Sequence, residues 1–98
     1  MSMDAFEAAL AALALKFRER CAREGPELRV LIDAGELYSP RTRHLLHGLA
    51  GTGGSFGFDE VSATARHIEV NLEPRAVEPV DLEKFFAAVQ ACADGATG

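Results

Sequence analysis

The apolar residues of this chain recur at helical spacing. Met3, Phe6, Leu10, Leu13, Phe17, Cys21, Leu28 and Leu31 step close to 3-4-3-4 and draw one stripe down a helix. Asp4, with Glu7 three residues on, predicts a capping box at its start. The stripe keeps its phase across Gly25-Pro26, although proline inside a helix removes a hydrogen bond and crowds the preceding turn. The pattern therefore predicts either one bent helix or two collinear ones over residues 4–34, with a break near residue 25. Ser39-Pro40 reads as a second start, with Ser as N-cap and Pro at the first helical position. From there Thr42, Leu46, Leu49, Gly53 and Phe56 predict a helix over 39–54. After a glycine-rich turn, Phe58, Val61, Ala65, Ile68 and Leu72 predict a third over 58–73, with Asp59 and Glu60 suiting the dipole of its first turn. Glu73 to Pro79 reads as a loop. Leu82, Phe85, Phe86, Val89 and Ala93 give the last stripe, over 80–94, followed by a frayed Gly-Ala-Thr-Gly tail. Four amphipathic segments joined by short connections predict an all-α fold. The expected architecture is an antiparallel up-and-down four-helix bundle, one domain over residues 1–98.

Composition supports helix and removes several functions. Seventeen alanines and eleven leucines, with few β-branched residues, favour the helical state. Fifteen acidic against ten basic residues leave a net charge of −5. That balance argues against nucleic acids and polybasic membrane contacts, whose affinity comes from neutralising phosphates with Lys and Arg. No apolar run approaches the roughly 20 residues of a membrane span. The N-terminus lacks a basic region of the secretory kind, so a cytoplasmic location is expected. Cys21 and Cys92 show no metal-type spacing and read as buried reduced thiols.

Charge and glycine are both unevenly placed. The 22 residues from Leu37 to Phe58 contain no acid, yet they hold Arg41, Arg43, His44 and His47. A local surface of that sign suits an anionic group such as phosphate. Five of the nine glycines, at 48, 51, 53, 54 and 57, crowd into the same window. Each glycine inside a helix costs about 1 kcal/mol relative to alanine, so several in one helix ask for a reason. Gly53 lies on the core stripe, where close helix packing suffices. Ala50, Gly51 and Gly54 share the helical face of His47. Small residues there clear a surface on which a partner can reach the imidazole, a competent nucleophile near neutral pH.

The run His47-Gly-Leu-Ala-Gly51-Thr-Gly-Gly-Ser-Phe-Gly57, preceded by Arg-His-Leu-Leu, resembles the signature of HPt domains, the histidine-containing phosphotransfer modules of two-component phosphorelays. That family pattern is an apolar residue, His, any residue, Leu, usually Lys, then Gly, with another Gly six residues later. Leu46, His47, Leu49, Gly51 and Gly57 match it. The resemblance covers nearly the whole chain. It implies that His47 accepts a phosphoryl group from a receiver-domain aspartate and passes it to another receiver. The implied partners are response-regulator receivers and a sensor or hybrid histidine kinase. No cofactor of its own is implied, since the receiver supplies Mg²⁺, and a monomer is expected. The family's lysine is Ala50 here. Arg43, one turn before His47, is the first candidate to replace its charge, and Arg66 the second. For both, an ordinary solvated arginine is the competing reading. Folding the hairpin about residues 55–57 should bring Ala65, Arg66 and Glu69 beside His47. Glu69 stands where the family often has a Gln or Glu that bonds the imidazole; an ordinary exposed glutamate is the alternative.

Autokinase activity is not expected, because the glycine run is neither GxxxxGK[ST] nor GxGxxG and follows a helix. Two rivals remain. One is a docking module of the same fold that has lost phosphotransfer, which the missing lysine at Ala50 supports. The other is a metal-binding bundle using His44, His47 and His67. It lacks the Glu-x-x-His pattern of di-iron bundles, so no metal ligand is assigned.

Overall fold

The computed structural model describes residues 4–95, and within them the chain is all-helical, with four helices and no strand. These are α1 (Ala5–Asp33), α2 (Pro40–Ser55), α3 (Asp59–Val70) and α4 (Pro79–Ala93). Helix α2 packs on α3, α3 on α4, α4 on α1 and α1 on α2, an arrangement compatible with a four-helix bundle. No described helix is long and apolar enough to cross a membrane. Met3 and residues 96–98 of the expected tail lie outside the described residues.

The starts of α1 and α2 form as their capping residues dictate. Asp4 accepts a 2.8 Å hydrogen bond from the Glu7 N–H, and Ser39 accepts one of 3.3 Å from Thr42, ahead of Pro40. The turn between α2 and α3 uses Gly57 at φ +82°, a left-handed conformation open to glycine at little cost. Helix α3 stops at Val70, short of the expected residue 73. Leu72 nevertheless stays buried in the turn that follows, so it kept the apolar spacing without the helix.

Two expectations for α1 meet the structure differently. First, of the two alternatives it is the single helix, continuous through Pro26. The carbonyl that Pro26 leaves without a donor belongs to Ala22, and both residues are exposed, so water can satisfy it. Gly25 lies against α4, where an added Cβ would come within 2.9 Å of Val89 Cγ1. Second, only part of the stripe is core. Phe17, Cys21 and Leu28 are buried, whereas Phe6, Leu10 and Leu13 are exposed. At 1.5 Å per residue, the 29 residues of α1 span about 43 Å, against about 24 Å for the 16 of α2. The first turns of α1 therefore run past the other helices, in a molecule 50 Å long and 21 Å wide.

The core is closed by Phe17, Leu28, Leu46, Leu49, Ile68 and Phe85, all fully buried. Phe17 stacks on Phe58 with ring centroids 4.9 Å apart. Cys21 and Cys92 are free and buried. Burial, then the neighbouring Cys92 thiol, pushes the Cys21 thiol from 9.0 up to about 12, and burial also raises Cys92.

Candidate functional site

Helix α2 carries His47 on its solvent face, with the side chain 78% exposed. Its neighbours Leu46 and Leu49 point into the core and fix the rotation of the helix. Glu69 of α3 faces it across the hairpin, with Oε2 2.6 Å from His47 Nδ1. A carboxylate can only accept in this contact, which places a proton on Nδ1; in the neutral imidazole Nε2 then carries the lone pair. Among the described residues no hydrogen bond reaches Nε2. The Glu69 side chain is 23% exposed, so the more sheltered partner orients the more exposed one.

Beside the imidazole lies a hollow of about 470 Å³ lined by Tyr38, Pro40, Arg43, His44, His47 and Glu69. Arg43 is thus at the site, with its guanidinium 3.5 Å from Glu73 Oε2. Arg66 is exposed and does not line the hollow. Ala65 is fully buried in the core, under the site rather than on its surface. Of the three α3 residues expected beside His47, Glu69 is the one that bonds it among the described residues.

The glycines separate by what an added Cβ would meet. At Gly51 it meets nothing within 4 Å. At Gly54 it would come within 3.0 Å of Ser62 Oγ, so close approach of α2 and α3 already accounts for that glycine. Ala50 is buried, and Ser62 Oγ donates a 2.7 Å bond to its carbonyl. Ala50 and Gly54 thus each have a packing reason of their own, and at Gly51 alone is the space beside the helix open. Gly53 packs against Phe17 and the Phe58 carbonyl, as a core glycine should.

Several contributors escaped the sequence reading. Glu73 engages Arg43, and Tyr38 forms a wall of the hollow, with Arg75 4.8 Å from its ring centroid. Tyr38 is the only tyrosine in the chain and directly precedes the Ser39-Pro40 cap, which was a readable signal. Arg20 of α1 crosses to α2, donating to Thr52 Oγ1 at 3.1 Å while held by Glu24 at 3.0 Å, and its guanidinium rests where a side chain on Gly48 would stand. The three histidines do not converge. His67 bonds Asp81 at 3.2 Å in a separate hollow, and the described residues contain no group of three or more His, Cys, Asp or Glu placed to hold a metal ion.

Comparison with protein-family models, curated proteins and solved structures finds no match to this chain.

Proposed function

We propose that the chain is a histidine phosphotransfer module of the HPt type, with His47 as phosphoacceptor. One observation carries this reading: an exposed imidazole whose Nδ1 is held by a carboxylate while Nε2 faces solvent unengaged. In the proposed step, the Nε2 lone pair attacks the phosphorus of a receiver's aspartyl phosphate. The N–P bond forms as the bond to the aspartate oxygen breaks, and the carboxylate leaves with the electron pair. The ring becomes a phosphorylated imidazolium, whose Nδ1–H Glu69 continues to accept. Attack by a second receiver's aspartate reverses the sequence. Positioning and charge neutralisation supply the catalysis, with Mg²⁺ contributed by the receiver. Arg43 takes the place of the family's lysine once it turns from Glu73 toward the phosphoryl oxygens. Glycine at position 51 leaves room for the receiver beside the nucleophile.

The same reading takes the helices as an antiparallel up-and-down bundle with α1 kinked at Gly25-Pro26, acting in the cytoplasm between a sensor or hybrid kinase and response regulators. The bundle arrangement alone draws support from the cyclic packing order of the helices and their short connections. A second reading, a docking module without phosphotransfer, draws on the engagement of the Arg43 guanidinium by Glu73. Incubation with phosphorylated receivers separates the two. Phosphotransfer predicts an acid-labile, alkali-stable label that vanishes in His47→Gln and survives in His44→Gln. Label that persists in His47→Gln removes His47 from the mechanism.

A further inference from the structure

Cys21 and Cys92 face each other across the packed helices α1 and α4. Arg29 lies over the Phe86 ring, 3.8 Å from its centroid. An added Cβ on Gly25 would come within 2.9 Å of Val89 Cγ1, and one on Gly95 would stand 4.0 Å from Arg18 Nη1. These contacts step down α1 as they step up α4, and the level between the last two holds Cys21 and Cys92. Both thiols are free and buried, each 1% exposed. A disulfide joins Cα atoms about 4.4–6.8 Å apart, which packed helices reach only where their backbones come close. Gly25, one turn from Cys21, provides that approach.

The surroundings of the two sulfurs differ. Among the described residues, the buried side-chain atoms without a hydrogen-bond partner are Arg18 Nε and Glu24 Oε1. Arg18 acts on Cys92, where its charge and the Cys21 thiol both oppose the effect of burial. Glu24 acts on Cys21, where it joins burial and Cys92 in holding the proton on, against a smaller pull from Arg20. Cys92 is therefore the readier of the two to ionise, and Cys21 the one that keeps its proton. Cys92 also lies in the last turn of α4, and helix ends open more readily than helix middles.

We propose that Cys21 and Cys92 are a disulfide-forming pair, oxidised by a small-molecule disulfide, whose bond fastens α1 to α4. When the last turn of α4 opens, the Cys92 thiolate attacks one sulfur of the reagent. The reagent's S–S bond breaks and its other half leaves as a thiolate. Closure returns the mixed disulfide to Cys21. The Cys21 thiolate then attacks the Cys92 sulfur, and the remaining half of the reagent leaves as a second thiolate. The departing thiolates take up the two protons that the cysteines lose, so one protein disulfide and two small thiols result. The bond closes a loop over most of the chain, and long loops stabilise most by restricting the unfolded state. Neither cysteine lines the hollow beside His47, so the pair stands apart from the phosphotransfer reading.

Glutathione disulfide, added to the full chain in buffer without denaturant, tests it. The product should be a single chain lighter by two hydrogen atoms, with a peptide map that joins Cys21 to Cys92. Its melting midpoint should stand about 8 °C or more above that of the reduced chain, and dithiothreitol should reverse the rise. Cys21→Ala should stop at a glutathione adduct on Cys92. Cys92→Ala should react at Cys21 at least several-fold more slowly. A bond that forms only in urea overturns the proposal, as does one between chains, or an oxidised chain that melts no higher. Equal rates at the two cysteines overturn Cys92 as the attacking thiol.

Discussion

Replacing Gly51 with alanine separates what the fold needs from what a partner needs. Alanine is favoured over glycine inside a helix by about 0.8–1.0 kcal/mol. The new methyl group meets nothing within 4 Å, so no packing penalty offsets that gain. For a domain of this size, 1 kcal/mol moves the melting midpoint by about 4–8 °C, and Gly51→Ala should melt higher by roughly that amount. Gly53→Ala supplies the contrast. Its methyl would stand 3.1 Å from Phe17 Cζ and 3.4 Å from the Phe58 carbonyl oxygen, two groups fixed in the core. Overpacking costs about 1–3 kcal/mol and cancels or reverses the helical gain. Thermal and urea melts followed by circular dichroism give both values. Phosphotransfer from a receiver is then measured on Gly51→Ala and on the bulkier Gly51→Leu. Both should accept phosphate more slowly although both are folded, the leucine variant more so. A lower midpoint for Gly51→Ala refutes the structural half of the argument. A higher midpoint with undiminished transfer in Gly51→Leu refutes the clearance half.

Glu69→Gln keeps the size of the side chain and removes its charge. A charge-assisted hydrogen bond contributes roughly 1.5–3 kcal/mol, and with His47 78% exposed the screened figure is about 1 kcal/mol. Transfer to His47 should fall about fivefold in rate, with the melting midpoint lowered by at most about 4–8 °C; an unaltered rate would show that Glu69 does not orient the ring. The thiols predict a loss of stability in alkali. Unfolded cysteine ionises near 9.0, whereas Cys21 in the folded chain holds its proton up to about 12. Between those values the unfolded state releases a proton that the folded state keeps, so stability falls as pH rises through the window. Urea melts at pH 8 and pH 10 check the sign, and a midpoint that rises with pH contradicts it. At neutral pH a thiol reagent should label Cys21 and Cys92 only at the rate of unfolding.

Helices were legible wherever a residue acts locally. Ser39-Pro40 marks the start of α2 because both its cap and its fixed φ operate within one turn. Phe58, Val61, Ala65 and Ile68 marked the buried face of α3 because periodicity reports directly on burial. Periodicity alone does not say what covers a face, which is why Phe6 and Leu10 read as core yet stand in solvent. Folding one hairpin brought Glu69 near His47, and the resemblance implied the bond between them, with an ordinary exposed glutamate as the alternative. Contacts that depend on side-chain reach did not follow: Arg43 turns to Glu73, and Arg20 occupies the space beside Gly48. The glycines could be counted from the sequence, but only neighbouring atoms distinguish Gly51 from Gly54.

His47 and Glu69 are 22 residues apart and are joined by a single turn at Gly57. That closeness along the chain has a kinetic consequence. The two groups meet as soon as α2 and α3 close on each other, and loop closure over so few residues is fast and entropically cheap. Contacts of α1 with α4 connect residues far apart in sequence, such as Gly25 and Val89, and bear a larger closure cost. The α2–α3 hairpin should therefore acquire its shape early in folding. The contacts of α1 with α4 then set how long that shape persists.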